Sequence, residues 1–292
     1  MVSFYLGHKA NELAKGAQER YERAVEWLKE EEEATNKLAA EYGQLQLKVI
    51  KDTIKRFVDF LERTGRKASE SEKRLLEGLD FSVQQIQEYK AAAIAAEQYF
   101  MAGAKAAGAA AAGYGSAIGV ATSIGVASTG TAISSLSGAA ATNAMLAWFG
   151  GGMALGVWVL GGITAIPALA IGGFFAACEG EKAMTKAQEY VAKVNEAVTE
   201  IYAADDYAIQ VKQRITELKT VFESLNTLAV KGLNELEFQA FDSNRDAEKF
   251  QQVGLLMKAL VEILKTPVLN SEGKLNLGTV TILEKYRTLP GK

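Results

Sequence analysis

Between Lys105 and Glu179 the chain carries no Asp, Glu, Lys, Arg or His, a run of 73 residues without a charge. An outer helix of a water-soluble domain normally turns one charged face to solvent, and this run cannot supply one. Fifteen of the chain's 27 glycines lie inside it, which favours close approach of helix backbones. The charge is therefore held in the two flanking arms, and the chain divides into an N-terminal arm (residues 1–105), an uncharged head (106–178) and a C-terminal arm and tail (179–292).

The arms read as helices. Apolar or small residues recur at Leu6, Ala10, Leu13, Ala17, Tyr21, Ala24 and Leu28, and again at Leu38, Tyr42, Leu45, Val49, Phe57 and Phe60. Steps of three and four put them on one helical face. Sixty residues at a rise of ~1.5 Å would give a helix on the order of 90 Å long. That is beyond a globular helix and implies a long bundle or coiled coil. Glu30 to Glu33 interrupt the stripe and are expected to form a solvated face, not an acidic site.

Thr64-Gly65-Arg66-Lys67 reads as a C-cap and turn. A second stripe from Leu75 through Val83, Tyr89 and Phe100 runs into the uncharged head without a breaker. Beyond Glu179 the pattern returns at Ala187, Val191, Val194, Val198 and Ile201, then at Ile215, Leu218, Phe222, Leu225 and Ala229. Asp205 and Asp206 sit near the seam of those runs. Setting helix register is the leading role for such a pair; surface exposure and a functional role are the alternatives. Phe241-Asp242-Ser243-Asn244 reads as a turn before a helix bearing Val253, Leu256, Leu260 and Leu264, which must end before Pro267. Residues 270–273 have turn chemistry, and residues 277–283 fit either a short strand or a final helical turn. The expected fold is all-α: an elongated bundle of long amphipathic helices with a hydrophobic Gly/Ala-rich helical hairpin as its head.

The head has unequal halves. Residues 106–138 are mainly Ala, Gly, Ser and Thr, whereas residues 145–178 are rich in large apolar side chains. A charge-free apolar stretch of 18 or more residues is a membrane-span candidate. The candidates for insertion are Trp148, Phe149, Trp158, Leu160, Ile166, Phe174 and Phe175. Gly161, Gly162 and Pro167 are hinge candidates, and the hairpin turn is expected between Gly138 and Asn143. Asn143 either caps a helix starting near Ala144 or seeks a partner across a helix interface. Gly115 with Gly119, and Gly152 with Gly156, have the four-residue spacing of close helix packing. Lys105 is the only cation adjoining the head, so flanking charge gives no membrane orientation. Burial against the arms and transfer to lipid are worth comparable amounts per unit area, which favours a conditional state, shielded in water and released onto a bilayer.

Other chemistry is not expected. A net charge of −3 argues against nucleic acid. The one cysteine, Cys178, cannot form an intramolecular disulfide and fits a reducing compartment. Residues 1–16 show Lys9 and Lys15 but no apolar core of a signal peptide, so a cytoplasmic, soluble-to-membrane location is expected. His8 is the sole histidine, which leaves no zinc ligand set and only a remote pairing with Cys178. Gly180-Glu181-Lys182 lacks the strand, spacing and hydroxyl of a phosphate loop. No enzyme, cofactor, metal or small-molecule substrate is anticipated. The expected partners are a lipid bilayer, and either further copies of the chain or a helical protein.

Two long amphipathic arms around a hydrophobic head, over residues 4–240, resemble the tongue-bearing α-helical pore-forming proteins of the cytolysin A and haemolysin BL class. The likeness is one of architecture. Separately, Ser137-Gly138-Ala139-Ala140-Ala141-Thr142-Asn143-Ala144-Met145-Leu146-Ala147-Trp148, followed by Gly150-Gly151-Gly152, is similar to a motif in a family of bacterial helical proteins. Thr266-Pro267-Val268-Leu269 with Gly273 is similar to that family's tail. These resemblances imply a bacterial source and a membrane-permeabilising oligomer, and carry over no site residue. The alternatives are a coiled-coil structural or interaction protein with a packed head, and a constitutive membrane protein with cytosolic arms.

Overall fold

The computed structural model describes residues 2–65, 90, 180–270 and 274–287, and among these the fold is all-α. Helix α1 spans Val2–Val49, a π-helical turn occupies Ile50–Ile54, and α2 continues as Lys55–Gly65. Helix α3 spans Gly180–Glu237, α4 Ser243–Leu264 and α5 Gly278–Arg287. An antiparallel bridge joins Leu269 to Leu275. The expected domain boundaries at 105/106 and 178/179, and the second stripe of the N-terminal arm, lie outside the described residues.

Local chemistry explains the helix ends. The described part of the first arm runs to Gly65, and Arg66 and Lys67 of the expected C-cap and turn lie outside the described residues. The Asp242 carboxylate accepts the backbone N–H groups of Asn244 (2.8 Å) and Arg245 (3.1 Å), and Asp246 accepts the N–H of Asp242 (3.0 Å). This reciprocal cap satisfies donors that the first turn of α4 leaves open. Helix α4 ends at Leu264, ahead of Pro267. Residues 278–287 are helical, deciding the strand-or-helix alternative. The Asn276 side chain accepts the Gly278 N–H at 2.9 Å, and Ile282 and Leu283 are buried, so a cap and one apolar face outweigh the β-branched run.

The π-turn was not anticipated. An inserted π-turn adds a residue to the helical period, re-phasing the stripe so that Ile50, Ile54, Phe57 and Phe60 are all buried. Within it, the buried Thr53 hydroxyl donates to Asn226 Oδ1 at 2.7 Å.

The contacts separate two compact units. Among the described residues, unit 1 holds 2–36 and 180–211, and unit 2 holds 37–65, 90, 212–270 and 274–287. In unit 1 the two helical segments run parallel: Gln18 meets Tyr190, Arg20 meets Asn195, and Trp27 meets Asp205, the numbers rising together. Its core opposes Ala10, Ala14 and Ala17 to Ala183, Ala187, Tyr190 and Val194, with Ala24, Leu28 and Ile201 beyond. Leu13, expected in the stripe, is 40% exposed and Ala14 is inside. An interface lined by alanine on both helices has no room for a leucine there.

Unit 2 repeats the parallel pairing, with Glu41 near Lys219, Tyr42 on Phe222, and Thr53 on Asn226. Its core contains large side chains. Phe60 packs edge-on to Phe241 with centroids 5.6 Å apart, Phe241 meets Phe250 at 5.5 Å, and Phe57 lies 6.5 Å from Phe250. Helices that pair in parallel cannot be joined by a short turn. Residues 66–179 make the connection between α2 and α3.

Candidate functional site

None of the site residues expected from the sequence can be placed. Trp148, Phe149, Trp158, Leu160, Ile166, Phe174 and Phe175 lie outside the described residues. So do Gly115, Gly119, Gly152 and Gly156, and the hinge and turn residues Gly138, Asn143, Gly161, Gly162 and Pro167. Close packing at a glycine does occur, at a residue that the four-residue spacing did not single out. A Cβ on Gly232 of α3 would lie 2.4 Å from Val253 Cγ2 of α4. The contact is non-local, and a lone glycine within a helical stripe carries no signal of it.

The described residues do contain an unusual polar series along α1 and the π-turn that follows it. Asn11, Gln18, Glu32, Gln46 and Thr53 differ by multiples of seven and share one heptad position. Gln18, Glu32, Gln46 and Thr53 are buried. Gln18 accepts the Tyr190 hydroxyl, and Thr53 reaches Asn226. By contrast, Asn11 Oδ1, Glu32 Oε1, Gln46 Oε1 and Asn36 Oδ1 are buried without a hydrogen-bond partner among the described residues. Each such atom costs about 1–3 kcal/mol relative to one that is satisfied. Apolar periodicity conceals the series, because Val25 and Ala39 occupy the same heptad position between its members.

Glu32 corrects an expectation. The run Glu30 to Glu33 was read as solvated, and Glu30 and Glu33 are exposed, but Glu32 is only 7% exposed. Burial, and secondarily the Glu33 charge, push its carboxyl above the ordinary carboxylate value. The aspartate pair also splits. Asp205 is buried and accepts the Trp27 indole N–H at 3.1 Å, fastening α3 to α1 within unit 1, whereas Asp206 faces solvent. Burial alone pushes the neighbouring Tyr207 hydroxyl up to about 12.

In unit 2 the charges neutralise one another. Glu237, at the end of α3, takes Arg56 at 2.5 Å and Arg63 at 2.7 Å. Lys90 binds Glu62 at 2.7 Å and Lys51 binds Asp52 at 3.1 Å. Lys51, Asp52, Arg56, Glu62 and Arg63, with Lys55 and Asp59, line an open hollow of about 850 Å³. With the arginines committed to Glu237, the hollow offers no cluster of like charge for an anion or cation. Near the C-terminus Lys285 and Tyr286 both donate to Glu262. Burial would raise the Glu262 carboxyl, but the two hydrogen bonds and the Lys285 charge hold it below its ordinary value. Arg214 donates to the buried Thr279 hydroxyl at 2.6 Å, tying α5 to α3.

Among the described residues no group of three or more His, Cys, Asp and Glu is arranged to hold a metal. None of their helices is long and apolar enough to cross a membrane. Comparison with protein families, with curated proteins and with solved structures finds no match.

Proposed function

We propose that this is a membrane-active helical protein whose uncharged head, residues 106–178, enters a bilayer conditionally, with oligomerisation and permeabilisation. The observation that carries the reading is the run of 73 residues without charge set between charged helical arms. Its second half exceeds the ~20 apolar residues that a spanning helix needs. The described arms supply no competing membrane segment, which supports a division of labour in which the arms stay in water. The starting location on this reading is cytoplasmic, the partners are lipid and further copies of the chain, and no catalytic step is involved.

Dye release and flotation with anionic and neutral liposomes test this. Leakage caused by purified, detergent-free protein is the expected result. Soluble protein that neither floats nor releases dye would sink it. A specific observation favours a second reading, a coiled-coil structural or interaction protein: long parallel helical pairing with a heptad-spaced polar series on α1. On that reading the protein forms stable oligomers or heteromers in solution and ignores lipid in the same flotation assay.

A further inference from the structure

We infer that unit 1 is a built-in opening device: its parallel helix pair separates reversibly in the intact, lipid-free protein while unit 2 remains closed. Two independent observations point the same way. Among the described residues the contact in unit 1 opposes Ala10, Ala14 and Ala17 to Ala183 and Ala187, with Tyr190 and Val194 the larger side chains of that cluster and Leu28 and Ile201 beyond. Alanine brings only a methyl group to an interface, so little apolar surface is lost to water when the pair parts. Unit 2 instead closes over Phe57, Phe60, Phe241 and Phe250.

Unit 1 also holds Asn11, Glu32 and Asn36, each with a buried oxygen lacking a hydrogen-bond partner among the described residues, against Gln46 in unit 2. Opening hydrates all three oxygens, so it releases a penalty that the closed pair carries. The two terms reinforce one another: closing yields little, and it strands polar atoms. Local opening of the least stable part is the common behaviour of folded chains, and here the packing says which part that is. The inference concerns packing alone and does not depend on membrane activity.

Native-state thiol labelling tests it without lipid, so its failure leaves the dye-release result untouched. In the full chain with Cys178→Ser, single changes Ala14→Cys and Ala187→Cys report on unit 1, and Ala39→Cys and Ala229→Cys on unit 2. All four alanines are 0% exposed. Thiols at 14 and 187 are expected to react with Ellman's reagent at least tenfold faster than those at 39 and 229. A smaller difference, or the reverse order, overturns the inference. Adding Glu32→Met and Asn36→Leu should slow labelling at position 14 at least threefold and leave position 229 unchanged. Unaltered labelling at 14 removes the polar atoms from the mechanism. If those added variants misfold, the four single-cysteine rates still decide the matter.

Discussion

The two units share secondary structure, helix direction and the same pair of long helices, yet they are filled with different matter. Unit 1 packs mainly alanines beside Leu28, Tyr190, Val194 and Ile201 and holds the unpartnered oxygens of Asn11, Glu32 and Asn36; unit 2 packs a cluster of phenylalanine rings and holds that of Gln46. Helical periodicity alone does not distinguish them, because an alanine and a phenylalanine at the same position keep the same stripe. A fully buried large apolar side chain contributes about 1.5–3 kcal/mol, whereas each CH₂ contributes only about 0.8 kcal/mol. Two helical units of one chain can therefore differ widely in stability while sharing the same secondary structure.

The sharpest way to break this comparison is truncation on both sides of it. Phe250→Ala in unit 2 should cost about 3–5 kcal/mol, while Ala14→Gly in unit 1 should cost about 1 kcal/mol, the helix-propensity loss of a glycine. Urea unfolding followed by circular dichroism measures both. Equal costs would mean that the aromatic cluster does not dominate unit 2.

Next comes Gly232→Ala. The new methyl would meet Val253 at 2.4 Å, and overpacking of this kind costs about 1–3 kcal/mol. Val253→Ala in the same chain should restore part of the loss. If Gly232→Ala stabilises the protein, as a helix-interior glycine replacement in open space would, the close approach of α3 to α4 is wrong.

Asp242→Ala should remove the cap of α4 and cost about 1 kcal/mol. The loss should appear as faster amide exchange in the first turn of α4, and unchanged exchange there would count against the cap.

The smallest effect is also the most diagnostic of unit 1. The folded-state value of Glu32 is raised, so the folded form binds its proton more tightly than the unfolded form does. Stability from this source is fully present below the ordinary carboxylate value and is lost as the pH rises through the folded value. Glu32→Gln should flatten that decline and raise stability at neutral pH. A variant that shows the same decline as the parent would place the origin elsewhere.

Much of the fold was legible in advance because its causes are local. The turn before α4 and the stop ahead of Pro267 rest on residues that cap or break a helix wherever they occur. Residues 277–283 were ambiguous because β-branching and helical period gave opposite signals, and the Asn276 cap with burial of Ile282 and Leu283 settled them. The candidate site was legible only as a segment. Its named residues fall outside the described ones, so the membrane reading still rests on the absence of charge between Lys105 and Glu179.

By itself the sequence determined that the described parts of the arms are helical, where α4 starts and stops, and which face of each helix is apolar, since periodicity and capping act within a few residues. The tertiary structure decided what depends on neighbours distant in the chain. It set the parallel direction of α1 and α3 and the π-turn that re-phases the first arm. It also carried Glu32 inward while its neighbours Glu30 and Glu33 stay in water, and pressed Gly232 against Val253. A helical stripe says that a face is buried; only the partner helix determines how closely, in which direction, and with which polar atoms caught between.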